Sequence, residues 1–118
     1  MSRKHPTPES FVYAFGGIKL AFKNEPNFKF HIIAAIIAII LGILLKLNSI
    51  EFAILILTIC MVLMLELINT TLEALVDIVS PEIHPKARIA KDVSAAAVLI
   101  ASLGSLAIGA ILFLPKIF

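Results

Sequence analysis

Three carboxylates and an amide recur at helical spacing in apolar surroundings: Glu66, Asn69, Glu73 and Asp77. At about 100° per residue they fall within roughly 80° of one another, one polar stripe on an apolar rod. Ionisable groups within a membrane helix cost several kcal/mol each and mark function. The stripe is also graded in depth. A hydrocarbon core of about 20 residues beginning at Phe52 ends near Thr71. Glu66 then lies roughly 7 to 9 Å inside the core edge, with Glu73 at the headgroups and Asp77 in water. A partly desolvated carboxylate at the depth of Glu66 suits a general base for a hydroxyl. Glu73 and Glu25, the latter in the helix break Asn24-Glu25-Pro26-Asn27, are hard oxygen ligands. They suit a magnesium ion that also takes phosphate oxygens. The competing reading is that the stripe only holds helices together, with Glu25 a solvated loop residue.

The elements that position these groups follow from composition and pattern. The chain has 118 residues, 60% hydrophobic and only 15% charged, with a mean hydropathy of +1.05. Soluble domains are nearer a quarter charged, so this is a membrane protein of one small domain, residues 1–118. Its fold class is all-α: three transmembrane helices, about 28–47, 51–79 and 86–115, and an amphipathic surface helix at about 9–24. In that first helix Phe11, Phe15, Ile18 and Phe22 share one face, while Tyr13 and Leu20 on the other side imply contact with protein. It reads equally as an anchor or as a lid over a site. Gly16-Gly17 predicts a bend or a close approach. His31 is expected to be an interfacial, hydrogen-bonded residue. The third span is crowded with small residues, several four apart (Ala97, Ala101, Ser105, Gly109), which allow close helix packing. Three spans shield little of a polar stripe, so an oligomer is expected. The single cysteine, Cys60, excludes an internal disulfide, and its apolar setting makes it an inert core or lipid-facing thiol. Ser2-Arg3-Lys4-His5 is positive but is followed by Pro6-Thr7-Pro8-Glu9 instead of an apolar run, so no signal peptide is read.

Charge placement brings the groups to one face. Three spans put the N-terminus and the second loop on the same side, which collects Arg3, Lys4, Lys19, Lys23, Lys29, Lys86, Arg88 and Lys91; the other side has Lys46 and Lys116. The positive-inside rule makes the first side cytoplasmic. Lys86, Arg88 and Lys91 surround the start of the third span, where helix N–H groups and cations suit a phosphate; positive-inside topology alone accounts for them equally. Together these features fit phosphoryl transfer to a membrane lipid hydroxyl. No Gly-rich phosphate loop or protein-kinase signature is present, and no nucleic-acid partner is expected. The rival from another class is a small oligomeric transport or assembly subunit whose stripe lines a pore or binds partner helices.

Glu66-Leu67-Ile68-Asn69-Thr70-Thr71-Leu72-Glu73-Ala74-Leu75-Val76-Asp77, His84, Ala90-Lys91-Asp92-Val93-Ser94 and the upstream Asn24-Glu25 resemble the prokaryotic diacylglycerol kinase and undecaprenol kinase family. The resemblance runs from about Phe11 to the end of the chain. It implies a homotrimer in a bacterial cell membrane, with active sites built across protomer boundaries on the cytoplasmic side. It also implies ATP as phosphoryl donor with Mg²⁺, and a lipid alcohol as acceptor. By that resemblance Glu66 is the general base and Glu25 and Glu73 hold the metal with ATP. Tyr13, Asn69, Lys91 and Asp92 line the nucleotide and phosphate site. Asp77 is assigned to helix-end structure or to support of these groups. Enterobacterial members have an ATP-contacting arginine before the surface helix; here the matching position is Pro6, with Arg3 or Lys4 as substitutes. Phe22-Lys23-Asn24-Glu25-Pro26-Asn27-Phe28-Lys29 is closer to the Gram-positive-type branch, whose members act chiefly on undecaprenol, than to the diacylglycerol branch.

Overall fold

A computed structural model describes residues 7–118; the expectations attached to Arg3, Lys4 and Pro6 lie outside them. Four helices follow in order: α1 (Thr7–Asn24), α2 (Pro26–Leu44), α3 (Ser49–Val79) and α4 (Pro85–Ile117). The last three are long and apolar enough to cross a membrane.

Each helix boundary has a local cause. Glu9 in the first turn and Lys23 in the last turn of α1 complement its macrodipole. Pro26 disfavours helical dihedrals at the residue before it, and Glu25 is extended at φ −110°, ψ 103°. Pro26 then opens α2, where a missing N–H costs nothing. At the other end of α2, Lys46 takes a left-handed φ of 57°. The Leu47 N–H donates to the Gly42 carbonyl at 3.0 Å and the Lys46 N–H to the Ile43 carbonyl at 3.2 Å. This is a Schellman stop, and it ends α2 at Leu44. Asn48 and Glu51 then form a reciprocal capping box, each bond 2.9 Å, that starts α3.

The turn between α2 and α3 is where the chain packs best. Leu47, Leu55 and Leu112 are buried together, with Ala38, Phe52, Ile59, Ile108 and Phe113 against them. A Cβ on Gly42 would meet Leu47 Cδ1 at 3.0 Å and Phe52 Cε1 at 3.1 Å. In Gly42→Ala the tight contact opposes a helix-propensity gain of about 1 kcal/mol, leaving stability nearly unchanged. Gly42→Leu overpacks the turn and should destabilise by about 1–3 kcal/mol. Unfolding of both variants in detergent measures the difference.

α3 and α4 make the broadest helix contact and run antiparallel, tied at both ends. Glu51 meets Lys116 at 3.3 Å at the turn end, and Asp77 meets Lys91 at the other. The Glu51 carboxylate thus accepts from the Asn48 backbone N–H and faces the Lys116 ammonium. Glu51→Ala removes both contacts and should lower the unfolding midpoint in detergent.

α1 runs unbroken through Gly16 and Gly17, and among the described residues nothing comes within 4 Å of a Cβ built on either, so no close approach is made there. Its Phe11 and Phe15 are open, while Ala21 is buried. Leu20 borders a cleft with α3 but is 61% exposed. No more than 17% of any apolar span window is buried within the chain, which leaves broad faces for lipid or for other copies.

Candidate active site

The polar stripe occupies the end of α3 away from the leucine cluster. Glu66 is the buried charged residue among those described, only 4% exposed. One turn on, the Asn69 side-chain amide donates to Glu73 Oε1 at 3.2 Å, fixing both groups on the same face. The Thr70 and Thr71 hydroxyls donate back to the Glu66 and Leu67 carbonyls at 3.0 Å, which leaves the stripe to the carboxylates and the amide. Asn69 Oδ1 is buried without a hydrogen-bond partner among the described residues.

α2 and the α1–α2 joint supply the facing groups. Glu25 is half-buried and, like Glu73, lies within electrostatic range of Glu66. Glu25, Asn24, Gly17, Ala21, Leu67 and Thr70 border a cleft of about 520 Å³ between α1 and α3. Tyr13, on α1, is half-exposed and does not border it. His31 of α2 brings Nε2 to 3.2 Å from Glu66 Oε1. The histidine expected at the interface with a hydrogen-bond partner lies beside the carboxylate read as the base. The signal that could have found it is a lone titratable side chain in the first apolar span, at a depth matching Glu66 across the short α2–α3 turn.

The start of α4 completes the same end. Lys91 pairs with exposed Asp77 through a hydrogen bond donated by its ammonium. Asp77 thus has a partner that the sequence reading did not assign to it. Arg88 lies 3.8 Å from Asp92 on the exposed side of α4. Asp77, His84, Arg88, Lys91 and Asp92 border a second cleft of about 350 Å³. Lys86 lies on an adjoining recess with His84, whose Nδ1 accepts from the Lys86 backbone N–H at 3.1 Å. Glu73, within electrostatic range of both Glu66 and Lys91, joins the two halves. No group of three or more His, Cys, Asp or Glu is close enough to hold a metal among the described residues. Two carboxylates are what magnesium needs when phosphate oxygens and water fill its remaining positions, so the donor set fits that ion as part of a nucleotide complex.

A buried carboxylate below a graded set of acids and a lysine, on three apolar spans, is the frame into which known sequences can be set. Residues 12–113 match the prokaryotic diacylglycerol kinase family. The chain belongs to that family. It is a family of lipid kinases, which decides against the transport or assembly alternative. The chain is 42% identical to the undecaprenol kinase of Bacillus subtilis over 92% of its own length and 89% of that protein's. It is also 42% identical to the diacylglycerol kinase of Synechocystis over 92% of its length, spanning 62% of that longer protein. To the diacylglycerol kinase of Escherichia coli K12 it is 34% identical over 75% of its length and 73% of the relative's. The kinase stripe, Glu25 and Lys91 all fall within the matched region.

Proposed function

We propose that this kinase transfers the γ-phosphoryl group of ATP directly to the hydroxyl of undecaprenol, forming undecaprenyl phosphate. The observation that carries the reading is the order of groups along α3. Buried Glu66 comes first, then the Asn69–Glu73 pair, then Asp77 with Lys91, with Glu25 beside them. A hydroxyl at the membrane edge meets Glu66, and a nucleotide from the aqueous side meets the outer groups.

In the proposed reaction the lipid hydroxyl gives its proton to Glu66 as its oxygen bonds to the γ-phosphorus. The bond to the β–γ bridging oxygen breaks, and ADP leaves with that electron pair. Lys91 offers positive charge to the phosphate oxygens. Tyr13, Asn69 and Asp92 line the nucleotide, and Lys86 and Arg88 contact its phosphates. Glu25 and Glu73 would hold Mg²⁺, whose chemistry is to neutralise phosphate charge. The working unit is a homotrimer in the cell membrane of a bacterium, with the site cytoplasmic; the largely uncovered span faces support other copies.

The near full-length match to the Bacillus subtilis undecaprenol kinase favours undecaprenol. The equal identity to the Synechocystis diacylglycerol kinase supports diacylglycerol as the second reading. Purified protein given ATP with each lipid side by side separates them. Faster phosphate incorporation into undecaprenol is expected. Preference for diacylglycerol would overturn the substrate assignment, and incorporation into neither would overturn the proposed reaction.

A further inference from the structure

His31 has no part in the reaction as written, yet it is the side chain that reaches the base. We propose that His31 is a positioning residue for Glu66, holding Oε1 from α2 so that Oε2 is left to face the lipid hydroxyl. The inference rests on Glu66 being the general base.

Glu66 has few other sources of support. A carboxylate taken out of water costs several kcal/mol unless donors or an opposite charge compensate it. The polar neighbours on its own helix are committed elsewhere. The Thr70 hydroxyl donates to the Glu66 backbone carbonyl, and the Asn69 amide donates to Glu73. Oε1 has no hydrogen-bond donor in line with it among the described residues, and the imidazole Nε2, 3.2 Å away, is the group that approaches it. The pair is thus within ion-pair range but lacks hydrogen-bond geometry. Contacts of this kind are often loose before substrate binds.

His31 is equally short of alternatives. It stands at the head of an apolar cavity of about 190 Å³ between α2, α3 and α4. The hydroxyls lining that cavity, Thr58 and Ser105, donate to the Ile54 and Ser102 carbonyls at 2.7 and 2.6 Å. Within its surroundings the imidazole therefore has Glu66 as its polar partner. The backbone that carries it is well held: Phe28, on the preceding turn, is the most buried large side chain, 2% exposed. The first two turns of α2 thus connect Glu25 to the partner of Glu66, about 9 Å along one rigid helix.

Steady-state kinetics of His31→Leu and His31→Gln in the full-length protein test this. In His31→Leu, kcat should fall on the order of 10- to 100-fold, with KM for ATP and for lipid unchanged. Glutamine places a donor nitrogen at similar reach, so His31→Gln should recover most of that loss. Undiminished kcat in His31→Leu, a rise in KM alone, or glutamine no better than leucine would each overturn the proposal. A second measurement does not depend on turnover or on the leucine variant folding. The ¹⁵N signal of His31 Nε2, assigned by its loss in His31→Gln, should shift in Glu66→Gln, and an unmoved signal would overturn the contact. Activity in Glu66→Gln would instead remove the base assignment itself. Loss of activity there beside a fully active His31→Leu would leave the base standing and reject the role of His31.

Discussion

Glu66→Gln should leave a folded protein that turns over on the order of 10² to 10⁴ times more slowly than the native kinase. Glutamine keeps the size of the side chain and an oxygen for the His31 nitrogen 3.2 Å away, but it cannot accept the hydroxyl proton. Stability argues the other way from activity. Replacing a buried ionisable group, 4% exposed here, with a neutral isostere removes a desolvation cost; such changes are often neutral or stabilising. The thermal unfolding midpoint in detergent should therefore be no lower than that of the native chain while kcat collapses. That opposed pair of results separates a base from a structural acid. A near-normal kcat would remove the assignment, and a lowered midpoint with proportionate activity would make Glu66 a packing residue.

The second large effect concerns magnesium. Glu25→Ala and Glu73→Ala should each raise the magnesium concentration for half-maximal activity by about tenfold or more, the equivalent of about 1.4 kcal/mol of binding. The two are not expected to behave alike. Glu73 accepts the Asn69 amide at 3.2 Å, so its removal also frees Asn69 to turn and should raise KM for ATP. Glu73→Gln keeps an acceptor for that amide without the charge, and should restore KM for ATP but not the magnesium requirement. Unchanged magnesium titrations in both alanine variants would count decisively against the two carboxylates as ligands.

Much of this arrangement was legible in the sequence because the signals were energetic. Acids at helical spacing in an apolar span stand out by their desolvation cost, and the break at Asn24-Glu25-Pro26-Asn27 is marked by a steric rule that holds locally. The pairings between helices were not legible. His31 meets Glu66 only because the α2–α3 turn sets the antiparallel register, and that turn depends on Lys46 in a left-handed conformation no sequence rule assigns to lysine. Asp77 and Lys91 likewise come together through the Ser80–His84 connection, which reads from sequence only as a break. The glycine pair Gly16-Gly17 lowers the helix propensity of α1, a local cost that its continuous helix tolerates.

The ion pairs at the two ends of the α3–α4 hairpin give the protein a fixed height. Glu51 and Asp77 are about 39 Å apart along α3, and Lys91 and Lys116 about 38 Å apart along α4. The hydrocarbon layer is about 30 Å thick, so both pairs stand outside it, Glu51–Lys116 at one edge and Asp77–Lys91 on the aqueous side of the other. Neither helix can slide past the other to suit a different membrane without breaking a pair. Glu66 rides on this strut, and its depth is set against the same two marks. The level at which a lipid hydroxyl meets the carboxylate is then a matter of acyl-chain length. Vesicles of very short or very long lipids should offset the two and slow the kinase even where every residue of the site is intact.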